Sequence, residues 1–99
     1  MNIDQVRKYS SRIKQIARKH GIVKVYVFGS VARGVSTSTS DVDFLLEMEE
    51  GASLFGCSGF GYECEKLLGI QIDVIPSSVL SQVDDQEFVK NVRHDAVLI

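Results

Sequence analysis

Three short apolar runs, rich in β-branched and aromatic residues, constrain what this chain can fold into. They occupy residues 22–28, 41–47 and 70–75, and their length and composition are typical of β-strands. Segments with the 3.6-residue periodicity of helices lie before, between and after them. This order predicts an α/β (α+β) fold, in which a small mixed sheet of three or more strands is flanked by helices.

The first two predicted helices differ in how clearly the sequence specifies them. Residues 4–20 carry one apolar stripe and end before Gly21, with His20 placed to complement the negative end of the helix dipole. Residues 53–68 contain three glycines, and each costs about 1 kcal/mol relative to alanine inside a helix. We therefore expect this second helix to be short, kinked or frayed at its start.

The remaining segments are a short turn, a loop and a last helix. Residues 31–33 predict a helical turn, and residues 35–40 have no apolar periodicity and predict a surface loop. Residues 84–94 predict the last helix. Its inward positions would be Phe88, Val89 and Val92.

Composition narrows the class of protein. A chain of 99 residues with 44% hydrophobic residues and one proline predicts a single globular domain, residues 1–99. No apolar run approaches the roughly 20 residues that cross a bilayer, so we expect no membrane association and a cytoplasmic location. Cys57 and Cys64 fit neither a disulfide framework nor a zinc site, which indicates reduced thiols.

Charge is divided along the chain. Residues 1–34 carry eight basic residues and one acid, whereas residues 35–99 carry three basic residues and twelve acids. The basic positions of the first helix are explained equally well by exposure to solvent and by contact with a polyanion, such as nucleotide phosphates or an acidic partner. Direct binding of nucleic acid is not expected.

Three aspartates lie in the second and third strands. Asp41 and Asp43 are two residues apart, so a regular strand presents both on one face. Asp73 lies in an otherwise apolar run and joins them if the two strands are neighbours. Clustered carboxylates need protons, cations or a metal, and Mg²⁺ prefers such ligands. Alternatively, Asp41 caps its strand, Asp43 faces solvent and Asp73 pairs with Lys66 or Arg93.

A Gly-Ser pair follows the first strand. Gly29 permits a close approach of the backbone, and Ser30 offers a hydroxyl and free N–H groups at the start of a helical turn. Such a turn commonly binds phosphate. An ordinary turn with a serine cap remains open, but the spacing puts this pair and the aspartates at the same end of one sheet.

These motifs resemble a known superfamily. Val-Phe-Gly-Ser-Val-Ala-Arg-Gly at 27–34, Ser-Asp-Val-Asp-Phe at 40–44 and Leu-Leu-Gly-Ile-Gln-Ile-Asp-Val-Ile at 67–75 are similar to the DNA polymerase β-like nucleotidyltransferases. Within that superfamily the chain resembles the minimal nucleotidyltransferases, which are antitoxins of HEPN/MNT toxin–antitoxin modules. The glycines within residues 53–68 depart from the usual helix but touch no motif position.

The resemblance implies roles for the motif residues. Gly29 and Ser30 would hold the terminal phosphates of ATP. Arg33 would add a charged contact to phosphate, and an ordinary surface charge before Gly34 explains this arginine equally well. Asp41 and Asp43 would ligate two Mg²⁺ ions. Asp73 would complete the shell of the catalytic ion and help to deprotonate the acceptor hydroxyl.

The resemblance also implies a reaction and a partner. AMP would be transferred from ATP to a tyrosine of a HEPN toxin, in a hetero-oligomer of the two proteins. A non-catalytic antitoxin that neutralises its toxin by binding alone is the alternative. A phospho-acceptor domain is disfavoured because the first strand ends in Gly-Ser and the third in Pro76. Transfer to an aminoglycoside would need a second domain.

Overall fold

The computed structural model describes residues 1–37 and 40–99. In chain order, the elements are α1 (Ile3–Lys8), α2 (Ser10–Lys19), β1 (Ile22–Phe28), α3 (Gly29–Arg33), β2 (Val42–Met48), α4 (Phe55–Leu68), β3 (Ile72–Pro76), α5 (Ser77–Leu80), α6 (Gln86–Asp95) and β4 (Val97–Leu98). Within those residues no helix has the length and apolar character needed to cross a membrane. The prediction of a mixed α/β fold is confirmed.

The sheet has four strands in the order β3-β2-β1-β4. β1 is antiparallel to β2 and to β4, whereas β2 and β3 are parallel. The larger core, which contains the fully buried Phe44 and Phe60, lies between one face of the sheet and α1, α2 and α4. A smaller core around Leu45 and Leu80 lies on the opposite face, against α5 and α6.

The sequence-based prediction of one helix over residues 4–20 is wrong. The backbone at Tyr9 leaves helical geometry (φ −99°, ψ 7°) and separates α1 from α2. The Tyr9 N–H still donates to the Val6 carbonyl, and the Tyr9 carbonyl accepts from the Ile13 N–H at 2.9 Å. These hydrogen bonds hold α1 and α2 together across the turn, and both helices contribute a fully buried side chain, Val6 and Ile13.

Of the expectation that the helix over 53–68 is short, kinked or frayed at its start, the first two parts are wrong, because α4 runs unbroken for 14 residues. The helix does begin two residues late, at Phe55. Two of its glycines admit the end of α2. A Cβ at Gly56 would collide with the His20 carbonyl oxygen, and one at Gly59 would lie 2.5 Å from the His20 ring. The close packing of two helices offsets the low helix propensity of glycine.

His20 does more than complement a helix dipole. Its Nε2 contacts Glu63 of α4, and Lys19 Nζ donates to the other Glu63 oxygen at 2.5 Å. Hydrogen bonding to Lys19, and then to His20, lowers the pKa of Glu63 below its ordinary value. This cluster joins α2 to α4.

Other differences from the sequence pattern are local. The register shifts between Ile22 and Lys24, which leaves Val23 exposed instead of aligned with the buried Val25. Phe88 lies in the first turn of α6 and is 41% exposed, whereas Val89 and Val92 face inward as predicted.

Of the predicted loop over 35–40, Ser38 and Thr39 lie outside the described residues, and the rest has neither helix nor strand. Both cysteines are buried free thiols.

Candidate functional site

One end of the sheet gathers the residues that the sequence singled out. Because β1 is antiparallel to β2, its last residue, Phe28, lies opposite Asp43 near the start of β2. On the other side of β2, Asp43 is in register with Asp73 of β3. Neighbouring strands are about 4.8 Å apart, so the two aspartates occupy adjacent positions on the face that carries α5 and α6.

The carboxylates of Asp41, Asp43 and Asp73 interact with one another. Burial, followed by the charges of Asp73 and Asp41, raises the pKa of Asp43 to about 6. The pKa of Asp41 is raised in the same way, by desolvation and then by the charge of Asp73. All three aspartates therefore lie within electrostatic reach, and their mutual repulsion favours a proton or a cation between them.

Gly29 lies directly against Asp43. Its backbone adopts the left-handed region (φ 75°), and a Cβ at this position would collide with Asp43 Oδ2. A residue without a side chain is thus required for the chain to turn from β1 into α3 beside the carboxylate. Ser30 follows at the first turn of α3, where backbone N–H groups have no partners within the helix.

Arg33 closes α3 and brings a positive charge to this end of the sheet. Its guanidinium lowers the pKa of Asp43, against the larger effects that raise it. Nη1 donates to Asp95 Oδ2 at 2.6 Å. The sequence analysis did not identify Asp95. An acidic residue in the last turn of a helix opposes the helix dipole, which indicates that its carboxylate has a partner elsewhere in the fold.

The donor set fits a hard divalent cation in its chemistry, because carboxylate oxygens are the ligands that Mg²⁺ prefers. As they stand, however, the side chains do not form a complete ligand set. In residues 1–37 and 40–99, no group of three or more His, Cys, Asp or Glu side chains is placed to hold a metal ion. The backbone register brings the positions together, and side-chain rotation would have to complete the set.

The alternative partners that the sequence allowed for Asp73 are not used. Across the described parts of the chain, Asp73 forms no ion pair with Lys66 or Arg93. Lys66 instead lies over the Tyr62 ring, 4.6 Å from its centre. The neighbours that influence Asp73 are therefore Asp41 and Asp43, which leaves the site short of positive charge.

The raised pKa of Asp43 predicts how stability depends on pH. The folded protein holds the Asp43 proton up to about pH 6, whereas the ordinary value is 3.8. The contribution of Asp43 to the free energy of unfolding should therefore fall as pH rises from about 4 to about 6. In EDTA, Asp43→Asn should gain stability over the wild type across this window and hold the gain above it.

Chemical denaturation of both proteins at several pH values measures this difference. The pH dependence of wild-type stability alone is not sufficient, because Glu63 contributes as well. The pKa of Glu63 is lowered, so its stabilising effect is lost as pH falls below the ordinary pKa of a glutamate. An unchanged difference between pH 4 and pH 7 would contradict the crowding of carboxylates.

A separate cavity lies on the basic side of the molecule. It has a volume of about 480 Å³ between α2 and α4, and Arg12, Lys19 and Lys66 contribute positive charge to its lining. Glu63 and the apolar Ile16 and Leu67 also line it. None of the aspartates of the sheet end borders this cavity, so contact of the first helices with a polyanion stays a hypothesis separate from the site.

Sequence comparison gives consistent matches. The family described as "Nucleotidyltransferase domain" matches residues 7–99. A protein of Methanocaldococcus jannaschii, provisionally named a protein adenylyltransferase, is 40% identical over 75 residues, which cover 76% of this chain and 77% of that protein. Protein adenylyltransferase MntA of Thermococcus cleftensis is 36% identical over 67 residues, 68% of each chain.

Comparison of structures gives the same fold. A solved structure provisionally described as a minimal nucleotidyltransferase superposes with a TM-score of 0.79 at 29% identity, and covers 100% of this chain and 97% of that one. A toxin–antitoxin crystal structure with AMP-PNP superposes with a TM-score of 0.68 at 16% identity, covering 89% and 69% of the two chains. At that identity the second likeness establishes the fold alone.

Proposed function

The chain belongs to the nucleotidyltransferase domain family, and from this we propose that it is an antitoxin that transfers AMP from ATP to a tyrosine of a HEPN-type toxin partner. Two relatives carry the name protein adenylyltransferase, which supports AMP as the transferred group. A structural neighbour is a toxin–antitoxin complex with AMP-PNP, which supports a toxin as the partner. The HEPN class of the toxin and the tyrosine acceptor rest on the sequence resemblance. The proposed cytoplasmic location rests on the sequence, in which no apolar run approaches the length that crosses a bilayer.

One observation carries the proposal. Asp43 lies between Asp73, its register partner on β3, and Gly29, whose Cα leaves room for its carboxylate. The turn that we expect to bind phosphate and a pair of carboxylates are therefore neighbours at one end of the sheet. In a nucleotidyltransferase, the triphosphate and the cations that neutralise it must meet in the same way.

Each residue would have a distinct role in the transfer. Gly29 and Ser30 would hold the terminal phosphates of ATP through the backbone N–H groups and hydroxyl of the turn, and Arg33 would add a charged hydrogen bond. Asp41, Asp43 and Asp73 would hold two Mg²⁺ ions. These ions, when bound, would neutralise the charge that builds up on the phosphates.

The chemistry assigned to the chain itself is positioning and proton removal. Asp73 is exposed and would help to take the proton of the acceptor hydroxyl. The freed oxygen would form a bond to the α-phosphorus in line with the bond to the bridging oxygen, which breaks and releases pyrophosphate. Asp43, held between Gly29 and Asp73, would keep the triphosphate in that line.

A second candidate function is neutralisation of the toxin by binding alone. It is favoured by the finding that, in the described residues, the acidic side chains are not placed to hold a metal ion. In that case the aspartates would be dispensable for neutralisation, and the contact surface between the two proteins would carry the whole effect.

Transfer is tested with the purified protein, Mg²⁺, the co-purifying partner and each of the four nucleoside triphosphates labelled at the α-phosphate. We expect label from ATP on the partner, a mass gain of one AMP in the intact protein, and loss of both with Asp43→Asn. Asp84→Asn is the matched control, because Asp84 is exposed and precedes α6. Stable complex formation without label would favour the binding antitoxin.

A further inference from the structure

Asp95 is an acidic residue in an unusual position. It is the last residue of α6, where the negative end of the helix dipole disfavours a carboxylate. Its side chain is only 10% exposed, and it accepts a hydrogen bond from Arg33 Nη1 at 2.6 Å. Helix stability does not account for an acid here, whereas the pairing with Arg33 does.

Both members of this pair are tied to the same strand. Arg33 ends α3, which follows β1 without a break. Asp95 is separated by one residue from β4, whose Val97 and Leu98 pair with Val27 and Tyr26 of β1. The backbone at Arg33 and the backbone at Asp95 are therefore fixed relative to each other. The ion pair between the two side chains can then restrict the conformations of Arg33.

Arg33 has donors to spare beyond this contact. A guanidinium carries five N–H groups, and among the described residues Arg33 uses one of them in a hydrogen bond, through Nη1 to Asp95. The Arg33 side chain is 52% exposed, and its charge reaches Asp43. One edge of the guanidinium is thus held, while the other groups remain available at the sheet end.

We propose that Asp95 is a positioning residue, which holds the Arg33 guanidinium at the mouth of the site so that its remaining N–H groups meet the nucleotide phosphates. This inference rests on the proposed function, since it requires a triphosphate beside Arg33. It assigns to the end of α6 a role in nucleotide binding, although Asp95 itself contacts no nucleotide. An arginine whose rotamers are restricted before binding loses less entropy on binding.

The test compares the affinity of Mg·ATP for the wild type, Asp95→Asn, Arg33→Ala and the double variant, by titration calorimetry on the intact protein. A charge-assisted hydrogen bond predicts a loss of roughly tenfold or more for Arg33→Ala, and Asp95→Asn should lose about three- to tenfold. The double variant should bind no more weakly than Arg33→Ala, because Asp95 acts only through Arg33. Asp84→Asn serves as the control.

Different failures have different signatures. If the wild type binds no nucleoside triphosphate, the proposed function fails and this inference with it. If the wild type binds Mg·ATP and Asp95→Asn binds it equally well, only the positioning role is overturned. An additive loss in the double variant, together with a lowered melting temperature of Asp95→Asn, would make Asp95 a structural residue and would also overturn it.

Discussion

Replacement of Asp43 by asparagine should reduce nucleotide transfer by about a thousandfold or more while the protein stays folded. Asparagine keeps the shape of the side chain but removes the charge that would hold a cation and keep the triphosphate in line. Asp43 occupies the centre of the row, between Phe28 and Asp73. Single-turnover transfer of labelled nucleotide to the partner protein, with ATP at saturating concentration, measures the loss.

The same variant should not lose stability in the absence of metal. Burial and two neighbouring carboxylates raise the pKa of Asp43 to about 6, so the ionised residue is a source of repulsion in the folded state. Removal of the charge should leave the melting temperature in EDTA unchanged or higher. Asp41→Asn and Asp73→Asn should behave alike, with severe loss of transfer and no loss of stability.

Two results would contradict this interpretation. A sharp fall of the melting temperature in EDTA for all three variants would make the aspartates structural residues. Neutralisation of the toxin by Asp43→Asn as efficiently as by the wild type would show that transfer is not the means of protection. Asp84→Asn is again the control, because Asp84 is exposed and lies outside the strands that carry the three aspartates.

The sequence predicted those parts of the site that local periodicity determines. Strand periodicity is a property of each strand by itself, so Asp41 and Asp43 could be assigned to one face without knowledge of the fold. The neighbours of those residues could not be assigned in this way. That Asp73 is in register with Asp43 depends on the parallel pairing of β2 with β3, which no local pattern specifies.

Contacts between distant residues explain most of what the sequence did not show. Arg33 and Asp95 are 62 residues apart, and His20 and Glu63 are 43 residues apart. The glycines of α4 predict a weak helix only when α4 is considered alone, since the packing of His20 against Gly56 and Gly59 requires them. β4 has two residues, too few to produce a periodic pattern.

Replacement of Gly29 by alanine should cost both stability and activity, for two separable reasons. Gly29 has a φ of 75°, and the left-handed conformation costs a residue with a Cβ about 1–2 kcal/mol. The added Cβ would also meet Asp43 Oδ2, so either the carboxylate or the turn must move. A displacement of about 1 Å in a phosphoryl-transfer site costs about a hundredfold in rate, and we expect a loss of that order in transfer.

Gly34 provides the control that separates the two effects. It has the same φ of 75°, but in the part of the chain that the structure describes a Cβ there would meet nothing within 4 Å. Gly34→Ala should therefore show the loss of stability by about 1–2 kcal/mol and keep most of the transfer rate. Denaturant unfolding and transfer assays on both variants give the comparison. If Gly34→Ala lost as much activity as Gly29→Ala, backbone strain in α3 would be the cause. If only Gly29→Ala lost activity, the contact between its Cα and Asp43 would be the feature that makes this end of the sheet a site for transfer.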